Sequence, residues 1–340
     1  MASDHRPTLA TVARAAGVSL KTASRVMNDE PHVAPGTRER VRAAALELGF
    51  RRNAAAADLA RGGRAPLVGF VTADIANRFF ASVGAGMEQG LQGSGYQLVT
   101  ASSGEDAVRE RQLTEAFLER RVAALVIAPT DDDHRYLARE VAVDDGPPVV
   151  LVDRPAPGIE ADTVVIDNEG GARQAVDHLV AHGHRRIALV GDHARLWTAQ
   201  ERRLAFLRAM AEHGLAVPGS RLREGAYDAA AAQRLVAELL DDADPPTALV
   251  TANNRITVGA LHVLHARRTA GASIPALVGF DDFELADLLG VTVVAYDMAE
   301  IGRQAAFLAL ERTADPTLPA RRRTVPTRLV PRGSGEVPPA

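Results

Sequence analysis

Eight short apolar runs alternate with amphipathic stretches between residues 66 and 282. Runs of this length, rich in Val, Leu, Ile and Ala, are typical of buried strands in a parallel sheet. They occupy residues 67–73, 96–102, 124–129, 148–153, 163–167, 186–191, 247–252 and 276–282. We assign the first four to one β-α-β series and the last four to a second. Two consecutive series predict an α/β fold with two doubly wound subdomains and a cleft between them.

Polar residues follow these strands, at the ends where doubly wound sheets bind their ligands. Carboxylates and amides predominate, with Phe79, Phe80 and Trp197 nearby in sequence. Such acceptors beside an aromatic face suit a neutral polyol such as a sugar, because each buried hydroxyl needs a partner. The alternative is that these side chains only cap helices, which explains Asp167 and Asn254 equally well. The strand-end residues are Asp74, Asp153, Arg154, Asp167, Asn253, Asn254, Asp281 and Asp282.

Charge is distributed unevenly along the chain. Residues 1–64 contain eleven Lys and Arg against six Asp and Glu, whereas the remainder contains 28 basic and 37 acidic residues. A basic segment ahead of an acidic body is expected when only one end of a protein meets a polyanion. Chance clustering of charge on a solvated helix is the alternative, and charge alone does not decide between them.

The N-terminal fifty residues have the spacing of a helix-turn-helix. Thr8 is placed to cap a first helix, and Gly17 accepts the left-handed backbone of a tight turn. Ser19 is a suitable N-cap for a second helix, the one that enters the major groove in this motif. A generic helical hairpin is the alternative, disfavoured by a small residue followed four positions later by Gly and then Val. The predicted inward positions are Leu9, Val12, Ala13 and Ala16, then Leu20 or Ala23, Val26 and Met27.

A third helix and a linker follow. Pro35 suits a first helical turn, residues 37–48 carry apolar residues in helical register, and Gly49 ends the pattern. Residues 51–64 are rich in alanine but have little apolar surface. An isolated helix this short is marginal in water, so we expect a linker that folds only when something holds it.

The segments TLATVARAAGVSLKTASRVMN and TRERVRAAALELGFRRNA closely resemble the N-terminal region of the lactose-repressor (LacI) family of bacterial transcription regulators. The resemblance continues along nearly the whole chain. It implies a helix-turn-helix domain at 1–50, a hinge helix or linker at 51–64, and a periplasmic-binding-protein-like domain at 65–340 for effector binding and dimerisation. Its N-subdomain would comprise about 65–161 and 293–320, and its C-subdomain about 162–292 and 321–340.

The resemblance also implies a set of DNA contacts. Arg25 is our first choice for direct base contact, because an arginine can donate two hydrogen bonds to guanine O6 and N7. Leu59 matches the leucine that wedges into the minor groove. Ala57 and Asp58 depart from the basic or polar residue usual before that leucine, so the hinge contact is expected to be weakened or rearranged. The implied DNA-binding residues are Thr8, Leu20, Lys21, Thr22, Ser24, Arg25, Asn28, Asn53 and Leu59.

The segments DIANRFF, VDRP, VIDNEGG, TAQER, TANNRITVGAL and VGFDD are similar to the effector-domain landmarks of the family, in the same order. Arg78 replaces the usual proline and Asn254 the usual aspartate. Both departures leave the effector open: a sugar is the first expectation, and a nucleoside, a purine or a phosphorylated sugar is the alternative. The implied effector-binding residues are Asp74, Asn77, Phe79, Arg154, Asp167, Trp197, Arg202, Asn253 and Asp281.

Within the body, the resemblance implies three crossings between subdomains. Strand 292–297 and the helix around 301–312 would return to the N-subdomain, and segment 324–330 would add a last strand to the C-subdomain. The tail lacks leucine heptads for a tetramerising coil, and one helix-turn-helix binds only a half-site. We therefore expect a homodimer.

Together these features predict a cytoplasmic, ligand-responsive repressor that binds a palindromic operator. A two-lobed sugar receptor without a DNA role is one rival, and an enzyme on a doubly wound fold is another. We expect no cofactor, metal, membrane segment or catalytic residue: the chain has no cysteine, no long apolar run and no nucleophile motif.

GAGMEQG (84–90) is predicted to lie within a helix, and the His178, His182 and His184 cluster to be a surface feature. LVPRGS (329–334), which resembles an engineered protease site, continues from a final strand, and we interpret it as native.

Overall fold

A computed structural model describes residues 7–50, 63–130, 133–141 and 146–339 of the chain. The chain divides into two compact units, residues 1–65 and 66–340. The expected hinge contacts Asn53 and Leu59, with Ala57 and Asp58, lie outside the described residues.

The N-terminal unit contains three helices, α1 (Leu9–Ala15), α2 (Leu20–Met27) and α3 (Pro35–Glu47). The hydroxyl of Thr8 caps α1 and that of Ser19 caps α2, as predicted. Gly17 has a φ of +64°, the left-handed conformation that lets the chain turn between α1 and α2.

One small core holds these helices together. Val12, Ala23, Val26 and Val41 are fully buried or nearly so, and one or two come from each helix. Leu20 is 55% exposed, which decides between the two candidate inward positions at the start of α2: Ala23 faces the core and Leu20 faces solvent.

The second unit is built on two six-stranded sheets. The first has the strand order β11-β5-β4-β3-β1-β2, and its β11–β5, β5–β4, β4–β3 and β1–β2 pairs are parallel. Its strands are β1 (Ala65–Thr72), β2 (Gln97–Ser102), β3 (Val122–Ile127), β4 (Val149–Val152), β5 (Asp162–Ile166) and β11 (Arg322–Val325). Helices α4 (Arg78–Leu91), α5 (Ala107–Glu119), α6 (Arg135–Val141) and α11 (Met298–Ala314) complete this first lobe.

The second sheet has the order β12-β10-β9-β8-β6-β7 and is parallel except for the β10–β12 pair. Its strands are β6 (Ile187–Val190), β7 (Leu222–Arg223), β8 (Ala248–Thr251), β9 (Ala276–Phe280), β10 (Thr292–Ala295) and β12 (Arg328–Val330). Helices α7 (Asn168–Ala181), α8 (Trp197–Glu212), α9 (Ala229–Leu240) and α10 (Asn254–Thr269) complete the second lobe. The two sheets confirm the predicted fold class, because both are doubly wound.

The expected placement of three segments was wrong. β5 (162–166) belongs to the first sheet rather than the second series, and β10 (292–295) belongs to the second sheet rather than the N-subdomain. Segment 324–330 contributes to two strands, because β11 pairs with β5 in the first sheet and β12 with β10 in the second. The crossings therefore lie one element later than expected. An apolar run shows that a strand exists, but its partners are set by long-range pairing. The helix α11 does return to the first lobe, as expected.

A buried ion pair helps to fix β5 in the first sheet. The Asp162 carboxylate is completely buried and accepts hydrogen bonds from Arg312 Nε and from the backbone N–H of Arg321, both at 2.8 Å. These arginines lie on α11 and just before β11. The returning chain is thus tied to the strand that it joins.

No described helix is both long and apolar enough to cross a membrane.

Candidate functional site

A cavity of about 390 Å³ lies between the two lobes, at the carboxyl ends of the strands. Polar and aromatic side chains from both lobes line it. The first lobe contributes Asp74, Asn77, Phe79, Phe80, Glu105, Asp153 and Arg154, and Tyr296 follows β10. The second lobe contributes Asp192, His193, Arg195, Thr198, Arg202, Tyr227, Asp228, Asn253, Arg255 and Asp281.

Arg202 projects from α8 and is nearly buried. Its Nε donates a hydrogen bond to Asn168 Oδ1 at 2.7 Å, and a terminal nitrogen donates to the carbonyl of Ala252. The guanidinium lies 4.0 Å from the centroid of the Phe280 ring, within range of a cation–π contact. These contacts hold Arg202 in one orientation with part of its fork towards the cavity.

Asp281 follows β9 and faces Arg202, with 3.9 Å between Oδ1 and Nη2. It accepts hydrogen bonds from the Tyr296 hydroxyl at 2.7 Å and from the Asn254 N–H at 3.2 Å. Burial raises the pKa of Asp281, although Arg202 opposes that shift. Asp281 is therefore a well-held acceptor beside the most buried cation of the second lobe.

Asp74 and Asn77 connect the first lobe to the second across the cleft. Arg255 pairs with Asp74, and Asn254 Nδ2 donates to Asn77 Oδ1 at 3.0 Å. The Phe79 N–H also donates to Asn77 Oδ1, which caps α4. This cap holds the Asn77 oxygen towards residue 254, and an oxygen in that position requires a hydrogen-bond donor there. An aspartate there would not supply one, which gives a physical reason for Asn254.

The second-lobe end of the cleft combines two stacked aromatic rings with amide and carboxylate groups. The His193 and Tyr227 rings stack with their centroids 5.4 Å apart and a 4° angle between their planes. Asn253 Nδ2 donates to Asp192 Oδ2 at 2.9 Å, while Asn253 Oδ1 caps α10. This end therefore offers a planar aromatic pair beside carboxylate acceptors.

Most of the residues expected to bind an effector line this cavity, but two do not. Asp167 caps α7 by accepting from the Gly170 N–H at 2.8 Å, so the capping interpretation holds for it. The Trp197 ring packs against Arg322 at 5.1 Å, because the first turn of α8 directs it towards β11. The other expected residues line the cavity: Asp74, Asn77, Phe79, Arg154, Arg202, Asn253 and Asp281.

Several lining residues were missed by the sequence analysis. Glu105 and Asp192 come shortly after β2 and β6, so the strand-end rule would have found them had it been applied to every strand. Tyr227 follows β7, a two-residue strand without an apolar run. Tyr296 directly follows β10, so the same rule would have found it, whereas Arg255 lies in the first turn of α10 and reaches Asp74 only through the pairing of the lobes.

The exposed face of α2 carries most of the residues expected to contact DNA. Lys21 and Arg25 are exposed, and Thr22 and Ser24 are partly exposed. The Arg25 guanidinium lies 3.4 Å from the Glu30 carboxylate, and this pair is about half exposed. Thr8 uses its hydroxyl to cap α1, and Asn28 caps the C-terminal end of α2.

Two motifs that the sequence analysis discounted have structural explanations. GAGMEQG lies inside α4, and its Gly86 and Gly90 lie close to α11, where a Cβ would collide with that helix. His178 and His184 hold the C-terminal tail: His178 Nε2 bonds to Glu336 at 2.6 Å, and His184 Nε2 bonds to the Val337 carbonyl at 2.8 Å. The expected surface cluster was wrong for His184, which is buried under the tail, whereas His182 is exposed.

Comparison with known proteins agrees with this arrangement. Residues 8–53 match the family of bacterial regulatory proteins, lacI family, and residues 176–335 match the periplasmic binding protein-like domain. The chain is 32% identical to the HTH-type transcriptional regulator GalS of Salmonella typhimurium, over 90% of both chains. The lac repressor dimer bound to operator and the anti-inducer ONPF has a TM-score of 0.85 and 25% identity, with 98% of this chain and 100% of that chain covered. The transcriptional regulator CelR in complex with cellobiose has a TM-score of 0.71 and 29% identity, with 97% and 100% covered.

A helix-turn-helix unit followed by a two-lobed domain with a polar cleft defines a DNA-binding transcriptional regulator with a periplasmic-binding-protein-like sensor. The chain belongs to the LacI family of these regulators.

Proposed function

We propose that the protein is a repressor that binds a palindromic operator as a homodimer and is controlled by a small polyhydroxylated effector, a sugar, in the cleft. The cleft composition carries this proposal. Arg202 and Asp281 supply a fixed donor and acceptor, and the His193–Tyr227 pair supplies a flat aromatic face. A sugar ring needs both, because its hydroxyls require partners and its C–H face packs against aromatic rings. CelR, a relative in structure, is described with cellobiose.

We propose that Lys21 and Arg25 contribute most to DNA binding among the described residues. Both are exposed on the second helix of the motif, the helix that enters the major groove. We infer that Arg25 donates to a guanine edge once it releases Glu30, because this half-exposed pair is weak enough to exchange.

An exposed apolar surface on the second lobe supports the dimer. Leu285, Leu288 and Leu289 are all more than half exposed, and they adjoin an apolar groove of about 480 Å³ lined in part by Leu261 and Phe283. Exposed apolar patches of this kind mark interfaces. A second copy is the proposed occupant, because one helix-turn-helix binds one half-site and a palindrome requires two.

Effector control requires that the two states of the protein bind the effector with different affinity. The cleft is formed by both lobes, so a ligand that bridges them favours closure. We propose that closure changes the spacing of the two DNA-binding units and hence operator affinity.

The test is a gel-shift assay with the promoter of the protein's own or neighbouring operon, against random competitor DNA. Arg25→Ala should abolish the preference for the promoter. Arg14→Ala, which removes an exposed guanidinium from α1, should retain it. Asp281→Ala should keep DNA binding and lose the response to any ligand found by thermal-shift screening of sugars, sugar phosphates and nucleosides. A wild-type protein with no preference for any chromosomal fragment, with or without these compounds, would contradict the proposal.

A further inference from the structure

Arg154 is the most enclosed cation at the first-lobe end of the cleft. Only 4% of its side chain is exposed, and each of its three guanidinium nitrogens faces a carboxylate. Nη2 lies 2.6 Å from Glu105 Oε1 and Nη1 lies 3.3 Å from Glu105 Oε2, while Nε lies 3.0 Å from Asp153 Oδ2. Glu105 therefore occupies the fork of the arginine in the two-bond geometry that a phosphate group would otherwise use.

The backbone of both carboxylate residues is unusual. Glu105 has a φ of +59° and Asp153 a φ of +73°, the left-handed region that residues with a side chain rarely adopt. Such conformations persist where the surroundings enforce them, and they concentrate at ligand sites. The backbone strain at Glu105 coincides with the placement of its carboxylate on Arg154, at the wall of the cavity.

The other well-held guanidiniums of the cleft are also engaged. Arg202 donates to Asn168 and to the Ala252 carbonyl, and Arg255 pairs with Asp74. An anionic ligand that approaches Arg154 meets the Glu105 carboxylate first, and like charges in a partly desolvated site repel. A hydroxyl meets no such penalty, since it can donate to the same carboxylate.

We propose that Glu105 is a specificity-determining residue, which keeps Arg154 from binding phosphate and restricts the cleft to uncharged, hydroxyl-bearing effectors. This inference rests on the proposed function of the cleft as the effector site. The Glu105 carboxylate would favour a neutral sugar over a phosphorylated one.

The experiment uses the full-length protein and inorganic phosphate as the probe, with sodium chloride of equal ionic strength as the reference. Binding is followed by isothermal titration calorimetry and by the melting temperature. Glu105→Gln keeps the shape and removes the charge. We expect phosphate to bind this variant at least tenfold more tightly than the wild type, and to bind saturably. The double variant Glu105→Gln with Arg154→Gln should lose the gain.

Two controls separate charge from general effects. Glu115→Gln removes a carboxylate from an ion pair with Arg111 on the exposed face of α5, and it should not increase phosphate binding. Glu105→Asp keeps a charge next to Arg154 and should behave like the wild type.

Two results would overturn the proposal. One is a Glu105→Gln protein with no gain in phosphate affinity. The other, which needs no variant to fold, is wild-type protein that binds glucose 6-phosphate more tightly than glucose, or binds phosphate saturably. Operator binding is measured in parallel by gel shift. A wild-type protein that fails to bind DNA removes the proposed regulatory function, and the phosphate titrations still decide the role of Glu105.

Discussion

Gly86 allows a close contact between two helices of the first lobe, α4 and α11. A Cβ at this position would lie 2.7 Å from the carbonyl carbon of Ala299 and 2.8 Å from its Cα, closer than atoms pack. The contact is reciprocal, since a Cβ on Gly302 would lie 2.6 Å from the backbone nitrogen of Met87. Both obstacles are backbone, so neither is able to rotate away. Gly86→Ala is therefore expected to push the helices apart.

The magnitude follows from this geometry. Overpacking a well-filled core costs about 1–3 kcal/mol and occasionally more, and a clash against helix backbone belongs at the upper end, about 3 kcal/mol. For a domain of this size, that corresponds to a fall in melting temperature of about 6–12 °C. Because α4 also carries Phe79 into the cleft, where its ring meets that of Tyr296 at 6.2 Å, the same shift should weaken effector binding.

The matched control is Gly84→Ala on the same helix, where the nearest atom to a new Cβ is Phe70 Cε1 at 4.0 Å. This change should be neutral or stabilise the protein by up to about 1 kcal/mol, because alanine favours a helix. Urea unfolding of both variants measures the difference. If Gly86→Ala and Gly84→Ala lie within about 1 kcal/mol of each other, the overpacking estimate fails.

Two further predictions concern contacts outside this helix pair. Reversing either charge of the Asp74–Arg255 ion pair, by Asp74→Arg or by Arg255→Asp, should lower the free energy of unfolding. The double variant should recover about 0.5 kcal/mol of that loss, because the pair is partly exposed. A double-mutant cycle measured by urea unfolding that gives no coupling energy would show that the ion pair does not form in solution. The LVPRGS segment should resist a thrombin-type protease in the native protein, because Arg332 pairs with Asp282 at 2.7 Å and the Ser334 hydroxyl donates to the Leu277 carbonyl at 2.6 Å. Cleavage is followed by gel electrophoresis. If the folded chain is cut as fast as a urea-unfolded control, these two contacts do not protect the segment.

Caps, turn residues and apolar periodicity predicted most helices and strands of this protein. The wrong predictions concern features that depend on contacts between residues far apart in the sequence. Thr8, Ser19 and Gly17 act within a few residues of themselves, so their roles follow from the chain alone. β5 and β10 illustrate the limit, because an apolar strand fits either sheet and its neighbours decide. Asp167 shows the same limit for the site: a strand-end carboxylate either caps a helix or faces a ligand, and only the position of α7 settles which.

The sequence by itself determined the helix-turn-helix, the two doubly wound series and the family, because these depend on local periodicity, caps and motif order. Tertiary structure decided which side chains share the cleft. Glu105 and Arg154 are 49 positions apart, and Arg255 lies 181 positions from Asp74. Their pairing depends on sheet order and lobe closure, which no local pattern of residues encodes.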